Sequence, residues 1–152
     1  QRTVCTCQVV TDSPTLWQPD WMPDGYERDL REANLKNADL RGGDLAGADF
    51  TGADLRGAVL HRVDAEDAIF TGADLRRADL RYIANGLGVN LRGADLKDAI
   101  FGNSVFEMAD LTGARNVSSR QMDSGRWDSS ICPDGSWTRG GQCRGDQLIP
   151  LA

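Results

Sequence analysis

Residues Gly47–Gly57 read GADFTGADLRG, and close variants of the core A-D-L-x-G return from Leu30 to Leu111. The apolar centres fall at Leu30, Leu35, Leu40, Leu45, Phe50, Leu55 and Leu60. They resume at Phe70, Leu75 and Leu80, then run on through Leu91, Leu96, Phe101, Phe106 and Leu111. A spacing of five fits neither the helical 3.6 nor the strand period of two. It also misses the uneven leucines of leucine-rich repeats. Two residues before most centres stands a small side chain, Ala53 or Ala73 for example, with Asp or Asn in between. Both apolar groups then point inward and the polar one outward. Small and large groups paired in this way fill only a narrow tube, because a wider one would leave a hole between the leucines. Each pentad makes one short side and a turn follows it, hence Gly42, Gly47, Gly52, Gly57, Gly72, Gly93 and Gly113 two residues after a centre.

These residues resemble the pentapeptide repeat family, whose motif is A-(D/N)-L-x-x, over about 60 % of the chain. The resemblance implies an all-β fold, a right-handed quadrilateral β-helix with four pentads per coil. Sorting by fours puts Leu30, Phe50, Phe70, Leu91 and Leu111 in one column, with the two Phe rings stacked. Leu35, Leu55, Leu75 and Leu96 form the second column, and Leu40, Leu60, Leu80 and Phe101 the third. The fourth begins Leu45, Ala65 and ends Phe106; a larger Val63 offsets the small Ala65. Eleven residues rather than ten separate Leu80 from Leu91, which predicts a one-residue bulge near Asn85–Gly88.

The chain divides into an N-terminal cap (1–27), the repeats (28–117) and a C-terminal cap (118–152). All four Trp, five Pro and four Cys lie outside the repeats, where an open solenoid needs its ends covered. Trp17 or Trp21 is the expected lid at one end, and Trp127 or Trp137, with one short helix, at the other. Four cysteines allow three pairings. Cys132 and Cys143, around a Pro/Gly-rich turn, make the favoured pair, and such a tail is similar to the cystine-closed C-terminus of exported family members. Cys5 and Cys7, two apart, cannot close an unstrained ring, and their pairing is open. A Cys₄ zinc site lacks usable spacing. The cysteines, with a first residue that is Gln rather than Met, suggest a mature or trimmed chain from an oxidising place: extracellular, periplasmic or thylakoid lumen.

Little here points to catalysis. The single histidine, His61, follows a centre and is expected to face outward. No nucleophile elbow and no phosphate-cradling loop accompany it. D-x-D-x-D-G never occurs, so the many Asp residues do not spell a calcium loop. Asn116-Val117-Ser118 fits a glycosylation sequon, a triplet that chance often supplies. No cofactor is expected. The net charge is −6, of which residues 28–114 carry −4 from eleven Lys/Arg and fifteen acids. Such a chain is a poor direct ligand for nucleic acid, and no apolar run is long enough for membrane insertion. Asn34, Asp54, Asp74 and Asp95 stand beside Lys36, Arg56, Arg76 and Lys97, so these columns should cancel. A mildly basic strip on the third side, Arg41, His61, Arg62, Arg81 and Tyr82, is the candidate contact for a protein partner. The expected role is a non-enzymatic rigid binding or scaffold module; the sequence fits a monomer or a dimer. Family members that mimic duplex DNA to inhibit or protect gyrase supply the alternative, which the interleaved cations disfavour.

Overall fold

The computed structural model describes residues 29–138 and 140–148. Cys5, Cys7, Trp17 and Trp21 lie outside the described residues. Every pentad is built around one turn. In most of them the centre's carbonyl accepts a hydrogen bond from the N–H three residues on, as in Ala53 N to Phe50 O (2.9 Å) and Ala58 N to Leu55 O (3.0 Å). The turn's third residue has positive φ, 68° at Gly52 and 67° at Gly57. That is the type II turn, which favours glycine at this place. The Asp before the centre has its own task there. Asp54 Oδ1 accepts from Arg56 N, and Asp74 Oδ1 from Arg76 N, each at 3.2 Å. An Asp or Asn side chain is short enough to reach the backbone two residues on, which explains its recurrence at this position.

The pentads stack in parallel. Asp29 pairs with Asp49, Asn34 with Asp54, Asp39 with Val59 and Asp44 with Asp64, a constant step of 20 residues. Four pentads therefore make one coil. On the first side the chain of bridges runs Asp29–Asp49–Ile69–Asn90–Asp110–Ile131. It continues into the segment assigned above to the C-terminal cap. The step becomes 21 where Asp64 meets Asn85. Ala84 N donates to Val63 O and Ala65 N donates to Asn85 O, each at 2.9 Å. Two residues, Ala84 and Asn85, thus oppose Asp64. The bulge sits at Ala84–Asn85, overlapping the start of the expected stretch. Its cost at the neighbouring turn is met by one hydroxyl: Ser104 Oγ donates to Leu80 O (2.6 Å) and accepts from Ile83 N (2.9 Å).

The centres fill the tube. Leu30, Phe50, Phe70, Leu91 and Leu111 are at most 4 % exposed, as are Leu35, Leu55, Leu75 and Leu96, and Leu40, Leu60, Leu80 and Phe101. Phe50 and Phe70 stack with centroids 4.9 Å apart and planes 3° from parallel. Val63 and Ala65 are both buried.

The far end departs from the repeat. Strands β1 (Gly86–Leu87), β2 (Val105–Glu107) and β3 (Arg126–Asp128) form a parallel sheet in which Gly86, Phe106 and Trp127 are in register. Trp127 is fully buried and stacks on Phe106 at 4.4 Å, so it extends the fourth column. Trp137 is 64 % exposed and does not cover the coil. Between those coils the chain inserts helix α1 (Ser119–Ser124), started by a capping box of Ser118 and Gln121. Gln121 Nε2 also donates to Leu96 O (2.6 Å) and Ala99 O (3.1 Å), anchoring the helix to the coil below. Cys132 and Cys143 are bonded, with Cα atoms 5.6 Å apart, and both are buried. The bond holds the following segment against the last coil, where Trp127 N donates to Gly141 O (3.1 Å).

Candidate interaction surface

The third side carries Leu40, Leu60, Leu80 and Phe101 inward, and bridge residues Asp39, Val59, Asp79 and Ile100 on its outer surface. The turn row after it holds Arg41, His61 and Arg81, then Arg62 and Tyr82. The structure brings two of these, Arg81 and His61, to one carboxylate, with Tyr82 beside the His61 ring. Arg81 grips Asp79 through Nε (2.9 Å) and a terminal nitrogen (2.7 Å). His61 Nε2 lies 2.7 Å from Asp79 Oδ2, a close polar contact without hydrogen-bond geometry. The His61 ring meets Tyr82 edge-on at 6.0 Å. Burial pushes the Asp79 carboxyl up, yet its contacts with Arg81 and His61 outweigh this and hold it below the usual carboxylate value. Arg41 is occupied separately, by Asp39 (2.8 Å). Arg62 projects from a turn position with φ 58° and makes no ion pair among the described residues. His61, expected to face outward, is half-buried.

The turn row before the third side is more basic, and its importance escaped the sequence reading. Lys36, Arg56, Arg76, Arg77 and Lys97, with Asp98, line a groove of about 300 Å³. Arg56 is bonded to Asp54, and Arg76 to Asp74 at 2.6 Å, which lowers both carboxyl pKa values. The cancellation expected along these columns stops there. Lys36 stands by Asn34, which has no charge. Asp95 Oδ1 accepts from Asn116 Nδ2 (2.8 Å) and from the Lys97 backbone N–H (3.2 Å). Lys36, Arg77 and Lys97 form no ion pair among the described residues. Two letters carried this signal: Asn34 where Asp is usual, and Arg77 where Gly or Asn is usual. Eight of the ten Lys/Arg between residues 29 and 114 lie on the two turn rows that border the third side.

Chemically, the arrangement offers charge and shape. Among the described residues no three His, Cys, Asp or Glu side chains converge on a metal position. No described helix is long and apolar enough to cross a membrane.

Comparison with known proteins accords with this geometry. A family model described as pentapeptide repeats matches eight copies over residues 29–64, 44–81 and 88–115. No curated protein matches the chain. Among solved structures, HetL from the cyanobacterium Nostoc sp. strain PCC 7120 is 29 % identical, with a TM-score of 0.55 over 72 % of this chain and 53 % of its own. It is a pentapeptide repeat protein involved in heterocyst differentiation regulation. A pentapeptide repeat protein of the Arabidopsis thaliana thylakoid lumen is 27 % identical, with a TM-score of 0.33 over 67 % of this chain and 59 % of its own. QnrB1, a plasmid-mediated fluoroquinolone resistance protein, is 24 % identical, with a TM-score of 0.45 over 70 % of this chain and 66 % of its own. The chain thus spans between 53 % and 66 % of the lengths of these three. With the repeats, the 20-residue pairing step and the family model in agreement, the chain belongs to the pentapeptide repeat family.

Proposed function

We propose that this chain is a non-enzymatic binding or scaffold module, a right-handed quadrilateral β-helix that presents its third side and bordering turns to a protein partner. The observation that carries the reading is the segregation of charge: eight of the ten Lys/Arg between residues 29 and 114 border one side of a stretch that is acidic overall. A surface built on paired backbone and a filled core is rigid before contact, so little ordering entropy is lost on binding. The only histidine is engaged by Asp79 and Tyr82, an arrangement that positions a ring and offers no nucleophile beside it. The buried Cys132–Cys143 bond supports export to an oxidising compartment.

Photo-crosslinking residues placed singly at Arg62, Ile100 and Arg92 test the reading in the native compartment. Arg62 and Ile100 belong to the third side and its border, whereas Arg92 lies on the turn after the first side. One partner captured from the first two positions and not from Arg92 is the expected result. Equal capture from all three, or none, would sink the proposal.

A further inference from the structure

The groove before the third side lies outside the strip first singled out, and its chemistry narrows the partner. We infer that it receives an extended acidic peptide segment of a partner protein, an inference that rests on the binding role proposed above.

Its lining is predominantly basic. Lys36, Arg56, Arg76, Arg77 and Lys97 meet a single acid, Asp98. Coils in such a stack are spaced like paired strands, about 4.8 Å apart. Lys36 and Lys97 stand three coils apart, so they span roughly 14 Å, which four or five residues of extended peptide cover at about 3.3 Å each. A volume of about 300 Å³ admits a few carboxylate side chains and is too small for a folded domain. The guanidinium groups of Arg56 and Arg76 are held by Asp54 and Asp74, so they form a fixed floor. Lys36, Arg77 and Lys97 are left to meet incoming charge.

The same features speak against a nucleic acid strand. Single strands are held by aromatic platforms as well as cations, and no aromatic side chain lines this groove. A long polyanion would also feel the chain's net charge of −6, while a short acidic segment meets chiefly the local cations. Two turn rows further round the coil stand Glu66, Asp67 and Glu107. A second copy could bring that row to the groove, so self-association is the competitor to test.

A fluorescein-labelled peptide of eight glutamates is the probe, titrated by anisotropy with the full chain at low and at physiological salt. Binding that weakens with salt is expected, as for any contact between exposed charges. The double variant K36E/K97E should bind about tenfold more weakly or worse, since each reversal removes an attraction and adds a repulsion. R77N, which suits the positive φ at that turn, should weaken binding less, and R92E, on the turn after the first side, should leave it nearly unchanged. Unaltered thermal midpoints keep these comparisons meaningful. Several results would overturn the inference: no binding of the peptide, loss through R92E rather than K36E/K97E, or tighter binding of an oligothymidylate of equal length. So would a dimer, seen by sedimentation, that K36E/K97E dissolves. If the peptide fails while Arg62 still crosslinks a partner, the groove assignment falls and the third-side reading stands; if both fail, both are lost.

Discussion

Ser104 shows how much one side chain can settle in a filled tube. It occupies a place where the repeat normally puts alanine, and its hydroxyl joins Ile83 N to Leu80 O beside the bulge. It is 1 % exposed, so no solvent replaces it freely. Ser104→Ala should leave a buried donor and a buried acceptor unpaired, at about 1–3 kcal/mol. Urea unfolding measures this, with Ser124→Ala as an exposed comparison. Equal effects from the two would refute the bridging role. The centres obey a stricter rule. Leu55 is wholly buried, so Leu55→Asp must place a charge among apolar side chains or prevent folding. Asp54→Ser, one residue away, keeps a short oxygen near Arg56 N and gives up a surface ion pair, a loss of less than about 1 kcal/mol. Circular dichroism of both variants decides: if they melt alike, the inward and outward assignment is wrong.

At the scale of the element, the pentad was legible because its period belongs to no other structure and its volumes fill only one cross-section. The side at which Phe50 and Phe70 meet followed from counting by fours. The rest was less legible for physical reasons. An extra residue announces itself in the spacing, but where it sits is chosen by backbone hydrogen bonds, and these chose Ala84–Asn85. The capping box at Ser118 was present in the letters, yet only the contacts of Gln121 with Leu96 and Ala99 make the helix one side of a coil. Trp127 and Trp137 looked equivalent as lids, and register alone put Trp127 on Phe106. The groove was read as cancelled because adjacent letters of opposite sign imply pairing, while pairing depends on reach. The cystine acts on the terminal coil. Opening a bridge across a sequence separation of 11 should cost about 2–3 kcal/mol in the chain-entropy model. In a C132S/C143S variant the Trp127 amide, which donates to Gly141 O, should exchange with solvent much faster, and the Leu55 amide far less so. Equal acceleration at both amides would show that the bond supports the whole stack rather than its end.

Across the whole molecule the carboxylates set the response to acid. Asp54 and Asp74 are held below the usual value by their arginines. Asp79 and Asp110 are lowered as well, although burial acts against it. A carboxyl with a depressed folded-state pKa binds protons less readily than in the unfolded chain, so the stability it gives is present above the unfolded value, about 3.9. That stability is lost as pH falls from there through the folded values. The thermal midpoint should therefore drop steeply below about pH 4 and change little from these groups between pH 5 and 7. A midpoint that held steady down to pH 2 would contradict the ion-pair geometry. The same charges bear on the alternative role. A mimic of duplex DNA must offer an unbroken negative field, because a saddle built for phosphates meets one charge per about 1.7 Å of helix axis. Here residues 28–114 carry −4 from fifteen acids and eleven cations, with most of the cations gathered along one side. At physiological salt, screening over about 8 Å weakens the remaining field further. A gyrase supercoiling assay should accordingly proceed at its normal rate with micromolar amounts of this protein present. Inhibition at lower concentration, abolished by neutralising Asp44, Asp64 and Glu66 and unaffected by K36E/K97E, would transfer the function from the basic side to the acidic one.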